Sequence, residues 1–232
     1  MNTLIERYLS DPRTGRNCQF PLADLFRQSI YSRLAGYEDT NDAERLAEDP
    51  TFRMLASRER RDTSVALTST LHWFETEVLA EEQNYHGLTR LSADLIQHAA
   101  VRSPSRRVTL DIDSSESPVH GTQEQSAYNG HFESVCYHPL FVFNPEGDCL
   151  AAKLRSGNAH SAEGWDEVLL PIIDRYRRRR HRVVVRADAA FARPEIYEAL
   201  ERCGTRYAIR LPANDVLERQ IGDLLTQPRG RP

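Results

Sequence analysis

Arg107-Val-Thr-Leu-Asp-Ile-Asp113 is the stretch that decides the fold. Val108, Leu110 and Ile112 alternate with Thr109, Asp111 and Asp113, the period-two pattern of a strand with one apolar face. Asp111 and Asp113 therefore project from the same face, and acidic residues are poor strand formers that need a reason to be there. Carboxylates so placed suit two-metal phosphoryl transfer, in which hard oxygen ligands hold divalent ions roughly 4 Å apart. The plain alternative is a solvated edge strand ending in a side-chain-capped turn.

Downstream, Phe132 to Phe143 is rich in aromatic and β-branched residues, and Asn144-Pro-Glu-Gly-Asp148 supplies a turn before Cys149 to Leu154. This predicts a hairpin. Trp165, Val168, Leu169, Ile172, Ile173 and Tyr176 then form the stripe of an amphipathic helix, with Pro171 a potential kink. Arg182-Val-Val-Val-Arg186 reads as a buried strand, Pro194 to Cys203 as a helix closed by Gly204, and Tyr207 to Leu211 as one more strand. The resulting order, β-β-β-α-β-α-β, is that of an α/β, ribonuclease-H-like core. Such an order brings the first strand beside the one ending at Asp188, so Asp111 or Asp113 would approach Asp188 and hold metal with it. Capping of the following helix is the plain reading of Asp188.

Upstream the period is helical: Leu22, Leu25, Phe26 and Ile30 recur at that spacing, as do Val65, Thr68, Leu71, Phe74 and Val78. Helices are expected over 21–35, 40–47, 63–82 and 88–101, with Asp39, Asp62 and Thr63 as starts and Gly36 and Gly87 as stops. The period changes at Ser103-Pro104-Ser105, so two regions are expected, 1–104 helical and 105–232 α/β.

The 232 residues carry 30 basic and 34 acidic side chains, a net charge of -4, which gives no global field drawing the chain onto nucleic acid or membrane. No apolar run is long enough to span a bilayer and the N-terminus lacks a secretory core, so a cytoplasmic protein with no membrane partner is expected. Cys18, Cys136, Cys149 and Cys203 are widely spaced, which argues against a structural zinc site or a disulfide scaffold. His120, His131, His138 and His160 lack zinc-helix spacing and read as structural groups or phosphate contacts. One local patch stands out: Arg177, Arg178, Arg179, Arg180 and Arg182, with Arg175, lie within eight residues. A solvated helix end explains such a run, and so does a phosphate-contacting patch that lends affinity without sequence specificity.

Several blocks, in order, resemble the DDE-type insertion-sequence transposases, and among them the family numbered thirteen-eighty. They are Gly36-Tyr-Glu-Asp-Thr-Asn-Asp42 with Leu46 and Asp49-Pro50; Leu110-Asp-Ile-Asp-Ser-Ser115; Val119-His-Gly-Thr-Gln-Glu124 with Tyr128-Asn-Gly130; and Tyr137-His-Pro-Leu140. Leu154-Arg-Ser-Gly-Asn158, Arg186-Ala-Asp-Ala-Ala-Phe191 and Gly204-Thr-Arg-Tyr207 with Asn214 complete the series. The resemblance implies a ribonuclease-H-like core that cuts and joins double-stranded DNA at inverted terminal repeats and inserts it into target DNA, using a DDE triad and Mg2+ or Mn2+. It implies Asp113 as the first catalytic and metal-binding Asp, with Asp111 the second choice, and Asp188 as the second Asp. It is compatible with a homodimer, and the helical region would bind DNA ends.

The family's third carboxylate, a Glu, lies on a helix well beyond the second Asp. Glu195, Glu198 and Glu201 follow Asp188 too closely and Glu218 is hardly further on, so no residue here takes that role. An incomplete core is therefore expected, the chain reading as an N-terminal portion of a longer transposase. The competing expectation is a catalytically inactive remnant acting as a DNA-binding or dimerising regulator.

Overall fold

The computed structural model describes residues 2–14, 18–57, 64–100 and 106–225. The chain divides after Ala100 into two compact units. The first contains α1 (Asn2–Tyr8), α2 (Leu22–Leu34), α3 (Ala43–Glu48), α4 (Pro50–Ala56), α5 (Thr68–Trp73) and α6 (Glu82–Ala100). Ile5, Leu25, Phe74, Val78 and Leu91 are buried together at its centre. Helix α2 buries polar residues as well, and each has partners, as burial demands. Arg27 donates to Asp24, Asn2 and the Ala56 carbonyl, while Gln28 donates to the Ala66 carbonyl and accepts from the Ala66 N–H.

The helix expected over 63–82 is interrupted. α5 passes into a π turn at Phe74–Val78, closed by Leu79 N–H donating to the Phe74 carbonyl, and α6 begins at Glu82 rather than near 88. The wider turn keeps Phe74 and Val78 both buried while Glu75 accepts hydrogen bonds from Ser29 and Arg33 of α2. Gly36 does follow the end of α2, with φ of +91°. Gly87 is no stop: it lies inside α6, where a Cβ would sit 2.1 Å from the Tyr8 carbonyl oxygen. Its missing side chain is what lets the end of α1 approach α6. Asp49 caps α4 through Thr51 N–H and Phe52 N–H, with Pro50 at the first helical position. Asp39 instead accepts from Asn41 N–H in a turn ahead of α3. Asp62, Thr63 and the expected linker at 103–105 lie outside the described residues.

The second unit is built on a five-stranded sheet. Its elements are β1 (Arg107–Ser114), β2 (Ser117–Pro118), β3 (Ala127–Asn129), β4 (Ser134–Tyr137), β5 (Leu140–Phe143), β6 (Cys149–Lys153), α7 (Trp165–Arg178), β7 (Arg182–Ala187), a 3-10 turn at Ala189–Phe191, α8 (Pro194–Arg202), β8 (Arg206–Ile209) and α9 (Asp215–Leu225). The order is β6-β5-β1-β7-β8, with β1 antiparallel to β5 and parallel to β7, and β7 parallel to β8. A central first strand with an antiparallel hairpin on one side and two crossover strands on the other is ribonuclease-H-like connectivity. Leu110, Ile112, Leu140, Val142, Val183 and Val185 form the buried face, and α7 packs against β5, β6 and β7 with Val168, Leu169, Ile172 and Ile173 buried. Pro171 sits on the exposed side of α7, which runs unbroken to Arg178.

The stretch expected as one strand over 132–143 is two, separated at His138-Pro139, and β4 belongs to a second sheet of order β2-β4-β3. Pro139 lacks the N–H that a continuous ladder would use. Gly157 ties this second sheet to the loop after β6: a Cβ there would lie 2.2 Å from the Ala127 carbonyl oxygen and 2.3 Å from that of Cys136.

Helical Gly→Ala exchanges ordinarily stabilise by about 0.5–1 kcal/mol. Gly222→Ala in α9, with open space around it, should follow that rule. Gly87→Ala should reverse it and destabilise by about 1–3 kcal/mol through overpacking. Urea melts of the two variants read the contrast.

Candidate active site at the ends of two parallel strands

Strands β1 and β7 run in parallel register from Arg107↔Arg182 to Ile112↔Ala187. Asp113 and Asp188 each follow this register by one residue, which puts them at the C-terminal ends of adjoining strands, a place where ligand sites gather in open α/β sheets. Neighbouring strands lie about 4.8 Å apart. Both residues are exposed. Asp113 Oδ1 accepts from Ser114 N–H at 2.8 Å, and Asp188 Oδ1 accepts from Ala190 N–H at 3.0 Å, capping the 3-10 turn. Asp188 is thus a cap and a strand-end carboxylate at once. The Oδ2 atom of each has no hydrogen-bond partner among the described residues, so one oxygen per carboxylate is free to meet a hard cation.

Asp111 is placed differently. It pairs in register with Arg186, whose Nε and Nη2 donate to Oδ1 and Oδ2 at 2.6 Å each. This bidentate bond raises the Arg186 guanidinium pKa and engages both oxygens of Asp111. The sequence places Asp111 and Asp113 on one face, and the structure separates them by partner: one is bridged, the other is free at the strand end.

The arginine run lies elsewhere. Arg177 and Arg178 end α7, Arg179 and Arg180 form the turn, and Arg182 opens β7, its N–H donating to the Arg106 carbonyl. All five are exposed, and Arg178 pairs with Asp174 at 2.7 Å. Since β7 has six residues, the run and Asp188 sit at opposite ends of the strand, roughly 20 Å apart. The candidate acids and the candidate phosphate patch are therefore not brought together.

No group of three or more His, Cys, Asp or Glu side chains that could hold a metal occurs among the described residues. Glu195 lies 3.6 Å from Arg193, Glu201 accepts from the Tyr207 hydroxyl, and Glu198 and Glu218 are exposed on α8 and α9. Of the histidines, His138 is buried with Nδ1 against the Ala159 carbonyl, and His120, His131 and His160 are exposed. Although His160 is exposed overall, partial desolvation of its ring first, then the charges of Arg193 and Arg155, lower its pKa from the usual value.

Arg155 is the residue that composition and period alone pass over. Buried in the loop after β6, it donates Nε to the His138 carbonyl and Nη1 to the carbonyls of His160, Ser161 and Glu163, and burial lowers its pKa. One guanidinium thereby fixes the loop to the β4–β5 junction. The Leu154-Arg-Ser-Gly-Asn158 block is its only trace in the sequence.

This strand order defines the second unit as a ribonuclease-H-like domain. The chain belongs to the family described as transposase DDE domain group 1, whose profile matches residues 1–232. DNA transposition is the activity that this family membership supports. Among solved structures, the chain is similar to the catalytic domain of Mos1 mariner transposase, with 13% identity and a TM-score of 0.33 over 62% of this chain and 72% of that one. It is also similar to piggyBac transposase in a synaptic complex with hairpin DNA, with 14% identity and a TM-score of 0.42 over 100% of this chain and 50% of that one. A third is the Mos1 mariner paired end complex with Mn, with 10% identity and a TM-score of 0.30 over 93% and 74%. The chain thus spans half the length of the piggyBac chain it aligns with. No curated protein matches it, and no helix among the described residues is long and apolar enough to cross a membrane.

Arg155→Met should strip buried carbonyls of their donor, at about 1–3 kcal/mol for a group left unsatisfied. Arg155→Lys, with a point ammonium in place of a planar fork, should recover only part of the loss. Denaturant unfolding of both variants measures this.

Proposed function

We propose that this chain supplies the Asp113 and Asp188 half of a metal-dependent site that cleaves and joins DNA at the inverted terminal repeats of a mobile element. The observation that supports the reading is the β1–β7 register, which runs to Ile112↔Ala187, one residue before each of these two carboxylates; each keeps one oxygen without a hydrogen-bond partner among the described residues. All-oxygen donors suit Mg2+ or Mn2+. A divalent ion bound there would lower the pKa of an attacking water and stabilise the charge that develops on the phosphodiester.

The protein's part is placement. Paired backbones hold the two carboxylates, and local N–H groups fix the Oδ1 atoms so that the Oδ2 atoms are presented. Asp111 takes a supporting role in this reading: bound to Arg186, it ties β1 to β7 two residues before the carboxylates. The arginine run at the far end of β7 supplies sequence-independent attraction for double-stranded DNA. The helical unit is assigned the recognition of element ends, on the family resemblance. The third carboxylate is assigned to a Glu outside the described residues, because none of them joins Asp113 and Asp188 as a third ligand. That same observation favours one second reading, a non-catalytic regulator that binds DNA or the full-length enzyme without nicking.

In an assembly that also supplies the third carboxylate, Mn2+-dependent nicking of duplexes carrying the ends of the encoding element should vanish in Asp113→Ala and in Asp188→Ala. Binding to the ends with no nicking by that wild-type assembly would favour the regulator. Replacing Arg177, Arg178, Arg179, Arg180 and Arg182 by Gln should weaken duplex binding uniformly across sequences. The slope of log K against log salt should shrink by about 0.9 for each phosphate that is no longer neutralised, read by titration at several salt concentrations.

A further inference from the structure

A third strand end adjoins the two carboxylates. β8 pairs with β7 from Val184↔Arg206 to Ala187↔Ile209, and Arg210 N–H donates to the Ala187 carbonyl at 3.1 Å, so the ladder continues to Arg210. Tyr207 stacks on Tyr197 of α8 with ring centroids 5.3 Å apart, and Ile209 is half-buried like Tyr207. Strand alternation then turns Arg206, Ala208 and Arg210 to the opposite face, and all three are exposed. This is the face that carries Asp111, Asp113 and Arg186, since Asp111 pairs with Arg186 and Arg186 with Ala208. The row beyond is Asp113 near the end of β1, Asp188 just past β7 and Arg210 just past β8.

Arg210 differs from the other cations near the carboxylates. Arg186 is held by Asp111, and Arg193 lies 3.6 Å from Glu195. Arg210 has no side-chain hydrogen bond, ion pair or ring contact among the described residues. The repulsion it could offset is local: two carboxylates in one row oppose the approach of a phosphodiester. The arginine run cannot offset it, because roughly 20 Å is more than two Debye lengths, about 8 Å each, at physiological salt. An unengaged guanidinium one strand from Asp188 can, and its planar fork matches two non-bridging phosphate oxygens.

We infer that Arg210 is the phosphate-holding residue of this site, gripping the DNA backbone across the strand ends so that a phosphodiester lies against Asp113 and Asp188. The inference rests on the reading of those carboxylates as a metal site for DNA. Arg206, four residues back on the same face and roughly 13 Å away, is the internal control: it has the same charge and exposure but is out of reach of the row.

The test is duplex binding by fluorescence anisotropy in Mn2+, with Mn2+ binding measured separately by electron paramagnetic resonance. Arg210→Gln should lose about ten-fold in DNA affinity, as expected for a charge-assisted hydrogen bond, and reduce the salt slope by about 0.9. Arg210→Lys should fall between it and wild type, and Arg206→Gln should stay within about two-fold of wild type. Mn2+ binding should be equal in all four, which also reports that the strand ends are intact. If Arg210→Gln binds DNA like wild type, or if Arg206→Gln loses as much as Arg210→Gln, the inference is overturned while the metal reading stands. A wild-type protein that binds no Mn2+ would overturn both.

Discussion

The parallel ladder between β1 and β7 is the constraint on which the rest of the second unit depends. Parallel strands cannot be joined by a tight turn, so the chain must leave β1, build the hairpin and α7, and return alongside it. That crossover covers the Leu110, Ile112, Val183 and Val185 face with α7 and α8, and it leaves the other face to Thr109, Asp111, Asp113 and Arg186. Because side chains alternate with a period of two, a slip of one residue would send Asp113 into the core and Ile112 to solvent. Core packing on one face thus fixes which side chains the other presents.

Charged groups on this unit are sorted by what holds them. Asp111 and Arg186 satisfy each other and link the strands. Arg155 is spent on backbone carbonyls and shapes the loop that, with Gly157, secures the small second sheet. The exposed arginines after α7 complement the helix dipole and lie open to solvent. At the ends of β1 and β7, Asp113 and Asp188 each keep one oxygen without a hydrogen-bond partner among the described residues.

Legibility from sequence follows element length and period. β1 and β7 are readable because six to eight residues suffice to show alternation or a β-branched run, and α7 because its apolar stripe spans three turns. β2 and β3, at two and three residues, carry no period at all. The break at His138-Pro139 is masked by the aromatic and β-branched content around it. Gly87 looks like a helix stop because the neighbour it accommodates, Tyr8, is far away in sequence. That Asp111 or Asp113 comes near Asp188 is foreseeable from strand order alone, but the different fates of Asp111 and Asp113 are not. They depend on Arg186, whose partner is set by a register that only the folded sheet displays. Arg210 escapes notice for the same reason, since its row exists only once three strands are aligned.

The most direct test of the account is the anomalous scattering of Mn2+ in crystals of the protein grown with the metal. The expected result is a peak at the Asp113 and Asp188 carboxylates, with the Asp111–Arg186 bridge intact. A peak on Asp111 with Arg186 displaced, or ordered carboxylates with no peak at them at saturating Mn2+, would contradict it.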